Sequence, residues 1–205
     1  QRIAADLVMV AVGRKPQLEA FKALNLKLTD SGYVEVNEKM QTSNPRVYCI
    51  GDITGKQQLA HVASAQALVA ADNITGRERV MKYNAVPGCV FSHPELAFVG
   101  ITEEQAKARN LPYKVAKFPF SASGKALAMG ATEGFVKIIA DSRWDEILGV
   151  HIIGPRATDL IAEAVVAMHL EATAEELAKA IHAHPTLAEA IMEAAAGIAG
   201  EAIHI

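Results

Sequence analysis

Short apolar runs separated by turn residues dominate the first part of the chain. Residues 6–12 and 47–50 are mostly apolar and predict buried strands, and residues 33–36 alternate as in a short strand. Residues 60–74 are rich in alanine and contain neither proline nor glycine. They therefore predict a helix that ends near Gly76.

From about residue 83 onward the pattern changes to strands followed by helices. Five short apolar runs predict strands at 89–91, 97–99, 113–118, 135–140 and 147–153. Capping-box patterns begin at Thr102 and Thr173, and apolar residues recur at helical spacing after Pro155. This order indicates an α+β domain over residues 83–205.

The composition is that of a folded protein and points to no strongly charged partner. Hydrophobic residues make up 51% of the chain, charged residues 21%, and the net charge is −3. These values give no reason to expect a nucleic acid or an acidic membrane surface as a partner. No apolar run approaches the roughly 20 residues of a membrane span.

Cys49 and Cys89 each lie in an apolar, strand-like run. We expect both to be buried, reduced thiols, because free cysteine behaves as a small hydrophobic residue. No CxxC or CxxxxC pair is present and no disulfide framework is needed, so a reducing compartment fits.

The start of the sequence, at Gln1, has neither an initiator methionine nor the pattern of a signal peptide. The predicted strand at 6–12 follows at once, and a buried strand needs partners for its backbone groups. We therefore expect this chain to be a piece of a longer protein.

The run from His182 to Glu189 reads His-Ala-His-Pro-Thr-Leu-Ala-Glu and has three interpretations. Thr186 followed by Glu189 is a capping-box pattern, so Glu189 can simply fix the start of the last helix. A metal site would use His182 and His184, but no cysteine or carboxylate cluster completes it, and we predict no metal. Alternatively, Glu189 orients the imidazole of His184 and stabilises its protonated form, as in a proton relay.

Gly51 and Asp52 follow the predicted strand at 47–50. Glycine permits a sharp turn and a close backbone approach by a ligand, and aspartate there can accept hydrogen bonds from ligand hydroxyls. A turn that merely ends a strand explains the pair equally well. The helix predicted from Ala60 would present N–H groups that suit negative charge.

The segment from Thr42 to Asp52 resembles the second flavin fingerprint of two-dinucleotide-binding flavoproteins. In that family the aspartate binds the ribityl or pyrophosphate region of the flavin, and backbone groups at the next helix start approach the isoalloxazine. The resemblance implies FAD contacts by Gly51, Asp52, Leu59, Ala60 and His61.

The run from His182 to Glu189 resembles the signature of the dihydrolipoyl dehydrogenases, in the class I pyridine nucleotide–disulfide oxidoreductase family. The resemblance extends over essentially the whole chain, including residues 13–16 and 148–155. It implies that His184 is the catalytic acid–base and that Glu189 orients it. The implied parent enzyme oxidises dihydrolipoamide with NAD⁺ through FAD and a redox disulfide.

The resemblance also implies a domain plan. Residues 1–16 would end the NAD-binding domain, residues 17–82 would form a central FAD-contacting segment, and residues 83–205 the C-terminal dimerisation (interface) domain. That domain would be an antiparallel sheet flanked by helices, preceded by the C-terminal part of a two-dinucleotide-binding flavoprotein fold. The sequence has no redox cysteine pair and no GxGxxG after a strand. Most FAD and NAD contacts are therefore expected outside this chain, which should be inactive alone.

The implied parent is a cytoplasmic homodimer in which His184 acts on the disulfide of the partner subunit. Its substrate would be dihydrolipoamide carried on a lipoyl domain of a 2-oxo acid dehydrogenase or glycine cleavage complex. Two alternatives stay open at this point. The parent could be another disulfide reductase, similar to glutathione reductase, or the chain could be a non-catalytic dimerisation module.

Overall fold

The structure is a computed structural model that describes residues 2–205. The chain divides into two compact units, Gln1–Lys82 and Tyr83–Ile205, which are described separately below. Gln1, the first residue of the predicted NAD-domain segment, lies outside the described residues. Among residues 2–205, no helix combines the length and the apolar character that crossing a bilayer requires.

The first unit is built around one α-helix and two short 3-10 helices. The 3-10 helices are Glu19–Leu24 and Gly51–Thr54, and the α-helix is α1, Ala60–Ile74. The helix predicted at 60–74 is therefore confirmed. One side of α1 joins a small apolar core made by Val34, Val36, Met40, Val69 and Ala70.

The strand predictions in the first unit are wrong. Residues 6–12 pair with no other described segment, and Leu7 and Val12 are 88% and 92% exposed. Residues 33–36 and 47–50 form only single bridges, at Val34 and Tyr48. A strand exists only where its N–H and C=O groups find a ladder, which apolar character alone cannot supply.

The second unit is a five-stranded antiparallel sheet in the order β1-β2-β5-β4-β3. All five strands predicted from the sequence are confirmed. Their bounds are β1 Gly88–Val90, β2 Glu95–Gly100, β3 Tyr113–Pro119, β4 Phe135–Asp141 and β5 Ile147–Gly154. The turn at 141–146 joins β4 and β5 as an antiparallel hairpin, as predicted.

The second unit also contains five α-helices, two of which contact the sheet extensively. The five helices are α2 Glu103–Ala108, α3 Gly124–Met129, α4 Ala157–His169, α5 Ala174–Lys179 and α6 Glu189–Ala196. Helix α4 contacts β2 and β5, α6 contacts β3 and β4, and α5 packs on α6. The buried interior includes Phe118, Ile138, Ile152, Ile161 and Ile191. This is the predicted antiparallel sheet flanked by helices.

Local sequence signals set several helix starts. Thr102 and Thr173 each form a complete capping box, with Gln105 and Glu176 respectively, and so begin α2 and α5 as predicted. Thr173 also forms a single bridge with Glu146, the residue directly before β5, and so ties the start of α5 to the sheet. The loop that follows α5 then runs into α6, and this loop carries the candidate histidines.

Candidate functional site

His184 and Glu189 meet at the entry to α6. His184 lies in the loop before the helix, and Glu189 is its first residue. The Nδ1 atom of His184 lies 2.9 Å from Oε1 of Glu189. The imidazole is 79% exposed, whereas the carboxylate is only 24% exposed. A half-buried carboxylate thus holds one edge of a ring that is otherwise open to solvent.

The second oxygen of Glu189 serves the backbone. Oε2 accepts a hydrogen bond of 2.8 Å from the N–H of Thr186. This N–H, together with the weaker effect of His184, lowers the pKa of Glu189 against the opposing effect of burial. Glu189 is therefore ionised at neutral pH and can stabilise positive charge on His184.

The predicted capping box at Thr186 is only half formed. Its hydroxyl donates 2.7 Å to the carbonyl of Ala183 instead of accepting from the helix, and the N-cap residue Ala188 has no side-chain cap. The Thr186 hydroxyl therefore bonds within the loop and does not accept a hydrogen bond from an N–H of α6. Cap and imidazole partner are nevertheless compatible roles for Glu189, because each uses a different oxygen.

His182 belongs to a separate and more buried pair. Its Nε2 lies 2.6 Å from Oε1 of Glu163 on α4, and its Nδ1 lies 2.8 Å from the carbonyl of Ala180. Burial opposes the charged ring, but these two hydrogen bonds outweigh it and raise the pKa of His182. The side chain is 8% exposed. It therefore anchors the loop to α4.

A third imidazole–carboxylate pair lies one helical turn further along α6. Oε1 of Glu193 lies 2.5 Å from Nδ1 of His204, and Oε2 accepts 2.9 Å from the N–H of Ile203. Burial raises the pKa of Glu193, but these hydrogen bonds outweigh it and bring the pKa below its usual value. One small depression of about 80 Å³ is lined by His184, Glu189, Glu193 and His204 together.

The three pairs do not make a metal centre. No group of three or more His, Cys, Asp or Glu side chains suited to a metal ion occurs within residues 2–205. Each imidazole is instead matched with one carboxylate, an arrangement that orients the ring for proton exchange or for anchoring.

Both cysteines are free thiols and only partly buried, which corrects the expectation of full burial. Burial raises the pKa of each thiol, and at Cys89 the nearby charges of Glu95 and Asp159 raise it further. A raised pKa keeps a thiol protonated and unreactive at neutral pH. Neither cysteine is suited to act as a redox nucleophile.

Gly51 and Asp52 lie in a tight turn in the first unit. Gly51 has φ of +79°, which favours glycine, and its N–H donates 2.6 Å to the buried side chain of Gln66 on α1. Asp52 accepts 2.6 Å from the Arg14 guanidinium. The Asp52 side chain is 43% exposed. The turn therefore fixes a carboxylate at the surface, where it can meet a ligand.

Leu59, Ala60 and His61 form the start of α1. The N-cap residue Leu59 is extended and provides no side-chain cap. Leu59 therefore supplies no side-chain oxygen to the N-terminus of this 15-residue helix. Such an end suits a ligand atom that bears negative charge.

Sequence reasoning missed four residues of these pairs. Glu163 and His204 lie far along the chain from the histidine or carboxylate they meet, so no short-range pattern signals them. Arg14 enters the sequence analysis only as one of residues 13–16, with no partner predicted. Glu193 had a usable signal, since it follows Glu189 by one helical turn and so shares its face of α6.

Comparison with known proteins gives two family matches. The pyridine nucleotide-disulphide oxidoreductase dimerisation domain matches residues 86–195, and the pyridine nucleotide-disulphide oxidoreductase family matches residues 1–67. The chain is 44% identical to dihydrolipoyl dehydrogenase of Thermus scotoductus, covering 100% of this chain and 45% of the relative. It is 46% identical to the Bacillus subtilis dihydrolipoyl dehydrogenase, covering 98% and 43%. The chain thus spans less than half the length of these relatives.

Solved structures agree with these matches. LpdA from Mycobacterium tuberculosis superposes with a TM-score of 0.84 at 27% identity, over 89% of this chain and 40% of that one. The HOCl-induced flavoprotein disulfide reductase RclA from Escherichia coli superposes with a TM-score of 0.83 at 26% identity, over 91% and 44%. Fold, sequence and the dimerisation-domain match over more than half of the chain lead to one assignment: the chain belongs to the pyridine nucleotide-disulphide oxidoreductase family.

Proposed function

We propose that the chain is part of a flavoprotein that oxidises dihydrolipoamide with NAD⁺, and that His184 is its acid–base residue. The observation that carries this proposal is the contact between His184 Nδ1 and Glu189 Oε1, at 2.9 Å beside an exposed ring. The identity of 44–46% to dihydrolipoyl dehydrogenases supports the choice of substrate.

In this mechanism Nε2 of His184 accepts the proton of a substrate thiol. The resulting thiolate is the nucleophile that a disulfide requires, so a base beside the thiol raises its reactive fraction. Glu189 holds Nδ1–H, which leaves Nε2 as the acceptor, and its negative charge stabilises the imidazolium that forms. Attack on the disulfide forms one S–S bond and breaks another, and His184 then returns the proton to the sulfur that is released as a thiolate.

The residues of the first unit suit a dinucleotide with hydroxyls and an electron-accepting ring. FAD, when bound, would carry the electrons from the dithiol to NAD⁺. Asp52, fixed by Arg14, would accept hydrogen bonds from hydroxyls, and Gly51 permits the turn that places it. Backbone groups at Leu59, Ala60 and His61 would approach the ring at the start of α1.

We further propose the assembly and the domain plan. Residues 1–16 end the NAD-binding domain, residues 17–82 contact FAD, and residues 83–205 form the interface of a homodimer. His184 then serves a disulfide of the partner subunit, so each site needs both copies. The dithiol arrives on a lipoyl domain of a 2-oxo acid dehydrogenase or glycine cleavage complex, in the cytoplasm. The dimerisation-domain match over residues 86–195 supports the interface assignment.

The test replaces His184 by glutamine in the full-length enzyme. Loss of a general base should lower dihydrolipoamide-dependent NAD⁺ reduction by about 10²- to 10⁴-fold. Flavin content, measured by absorbance, should stay at the wild-type level. The exposed His169 at the end of α4 supplies the matched control, His169→Gln, which should keep full activity. Unchanged turnover, or turnover lost together with the flavin, would refute the assignment.

A further inference from the structure

Helix α6 carries two carboxylates one turn apart, and each holds an imidazole from outside the helix. Glu189 holds His184 at 2.9 Å, and Glu193 holds His204 at 2.5 Å. In both pairs the carboxylate meets Nδ1, which leaves Nε2 on the other side of the ring. The proposed function uses only the first pair.

Glu193 binds the segment that follows α6 through hydrogen bonds to Ile203 and His204. Its side chain is only 3% exposed, although it belongs to a residue type that is almost always at the surface. It accepts from the N–H of Ile203 at 2.9 Å and of His204 at 3.5 Å, in addition to the imidazole. A buried carboxylate with three donors is an anchor, and removing any one partner leaves it less satisfied.

The two pairs face one space. The depression of about 80 Å³ is lined by both imidazoles and both carboxylates, together with Phe118, Ala122, Ser123, Gly124 and Ala190. His204 also makes the smallest of the contributions that lower the pKa of Glu189, after those of the Thr186 N–H and His184. A change in the second pair is therefore felt at the residue that orients His184.

We propose that Glu193 and His204 form a positioning pair that sets the local charge and the packing around His184 and Glu189. This inference rests on the proposed function of His184 as the base. A proton on His204 opposes protonation of His184, whereas the carboxylate of Glu193 favours it. Together they keep the surroundings of the base close to neutral.

Other charged groups lie near Glu193 and His204 and contribute to the local charge. On the side of His184, Glu189 is also close enough to act on His182. On the other side, Glu193 borders a groove that is lined by four further charged residues, Asp145, Glu175, Lys179 and Glu201. Lys179 is paired with Glu175, and the imidazole hydrogen-bonded to Glu193 is that of His204.

The test measures the pH dependence of kcat/KM for dihydrolipoamide in the full-length enzyme. A general base must be unprotonated to act, so kcat/KM should decrease along the acid limb of the profile. His204→Asn keeps a donor near the position of Nδ1 but has no ring nitrogen that can take up a proton, and should move this acid limb of the profile to higher pH. Glu193→Gln removes negative charge and should move the limb to lower pH. On the limb, each change should alter kcat/KM about two- to fivefold.

The double variant Glu193→Gln/His204→Asn removes both charges and should return the limb close to wild type. His169→Asn, at an exposed histidine on α4, is the control and should leave the profile unchanged. Coincident profiles for all variants, or shifts of the same sign for both single variants, would overturn the proposal. If His184→Gln abolishes turnover while these profiles coincide, only the positioning pair fails and the proposed base stands.

Glu193→Gln is the variant at risk of misfolding, because its side chain is buried. His204→Ala removes the hydrogen bond as well as the charge and offers a second comparison with His204→Asn. If charge matters, both His204 variants shift the limb alike. If only tethering matters, His204→Asn keeps the wild-type profile while His204→Ala changes it, and that result refutes the electrostatic role.

Discussion

Glu189 contacts His184 through one carboxylate oxygen and the backbone of the same loop through the other. The distances are 2.9 Å to Nδ1 of the imidazole and 2.8 Å to the N–H of Thr186. One side chain thus fixes both the orientation of the ring and the path of the loop that carries it. The two contributions can be separated by comparison with a second glutamate that also accepts from a backbone N–H at a helix start but has no histidine partner.

Glu189→Gln should lower turnover of the full-length enzyme. An amide still accepts from Thr186, but it carries no charge to stabilise the imidazolium. The expected loss in kcat is about 10- to 100-fold, smaller than for loss of the base itself. Steady-state kinetics with dihydrolipoamide and NAD⁺ measures it.

Glu176 on α5 provides the matched control. It accepts 2.9 Å from the N–H of Thr173, as Glu189 does from Thr186, but it has no histidine partner in its capping box. Glu176→Gln should therefore cost a little stability and no activity. Equal losses of turnover in the two variants would show that the loop contact, not the imidazole, explains the effect.

The pair of His182 and Glu163 should make stability depend on pH near neutrality. The pKa of His182 is raised above the usual 6.5, since its hydrogen bonds outweigh burial. A raised pKa contributes stability that is fully present below the unfolded value and is lost as pH rises through the folded value. Imidazole NMR should show His182 titrating above pH 6.5.

Glu163→Gln should lower the titration midpoint of His182 and remove this pH dependence. Glu171→Gln, at an exposed residue in the turn after α4, should leave both unchanged. A midpoint that does not move in Glu163→Gln would mean that the carbonyl of Ala180 alone orients the ring.

The sequence predicted some of these relationships and missed others for a physical reason. The contact between His184 and Glu189 is local, so a five-residue spacing and a helix start were enough to find it. The partners of His182 and Glu193 come from α4 and from residue 204, and only tertiary packing brings them together. Short-range patterns carry no information about such contacts.

The difference between local and tertiary contacts also explains why the strand predictions are confirmed in the second unit and wrong in the first. In the second unit, predicted runs such as 135–140 and 147–153 lie next to each other in one antiparallel sheet and pair with each other. In the first unit, residues 6–12 have the composition of a buried strand, but no described segment supplies a ladder. An apolar run indicates that a segment tends to be buried, but it does not identify the segments that cover it.

Acid should destabilise the second unit through Glu95. Its carboxylate accepts 2.6 Å from the hydroxyl and 2.9 Å from the N–H of Thr158 at the start of α4, and these bonds lower its pKa below the usual 4.5. A lowered pKa gives stability that is present above the unfolded value and is lost as pH falls through the folded one. The midpoint temperature of thermal unfolding, measured by circular dichroism, should therefore decrease as the pH is lowered from pH 7 to pH 3.

Glu95→Gln should lower the midpoint temperature of unfolding at neutral pH. The further decrease of this temperature in acid should be smaller than in wild type. Thr158→Val removes the hydroxyl but keeps the N–H, so it should give part of the same effect. A decline in acid as steep in Glu95→Gln as in wild type would assign the acid sensitivity to other carboxylates, such as Glu103 beside Lys137.

Close packing at Gly149 predicts a large effect of one methyl group. Gly149 pairs with Gly100 across β5 and β2, and a Cβ at position 149 would lie 2.2 Å from the carbonyl oxygen of Ile101. Because that atom belongs to the backbone, relief would require the sheet to shift. Gly149→Ala should therefore destabilise the domain by about 1–3 kcal/mol or more.

Gly124→Ala is the matched control, because a Cβ at this first residue of α3 meets nothing within 4 Å. It should stabilise the domain by about 0.4–1 kcal/mol, since alanine loses less backbone freedom on folding. Urea unfolding followed by circular dichroism measures both free energies. If Gly149→Ala were as stable as Gly124→Ala, the tight approach of β2 and β5 that frames the core beneath α4 would be disproved.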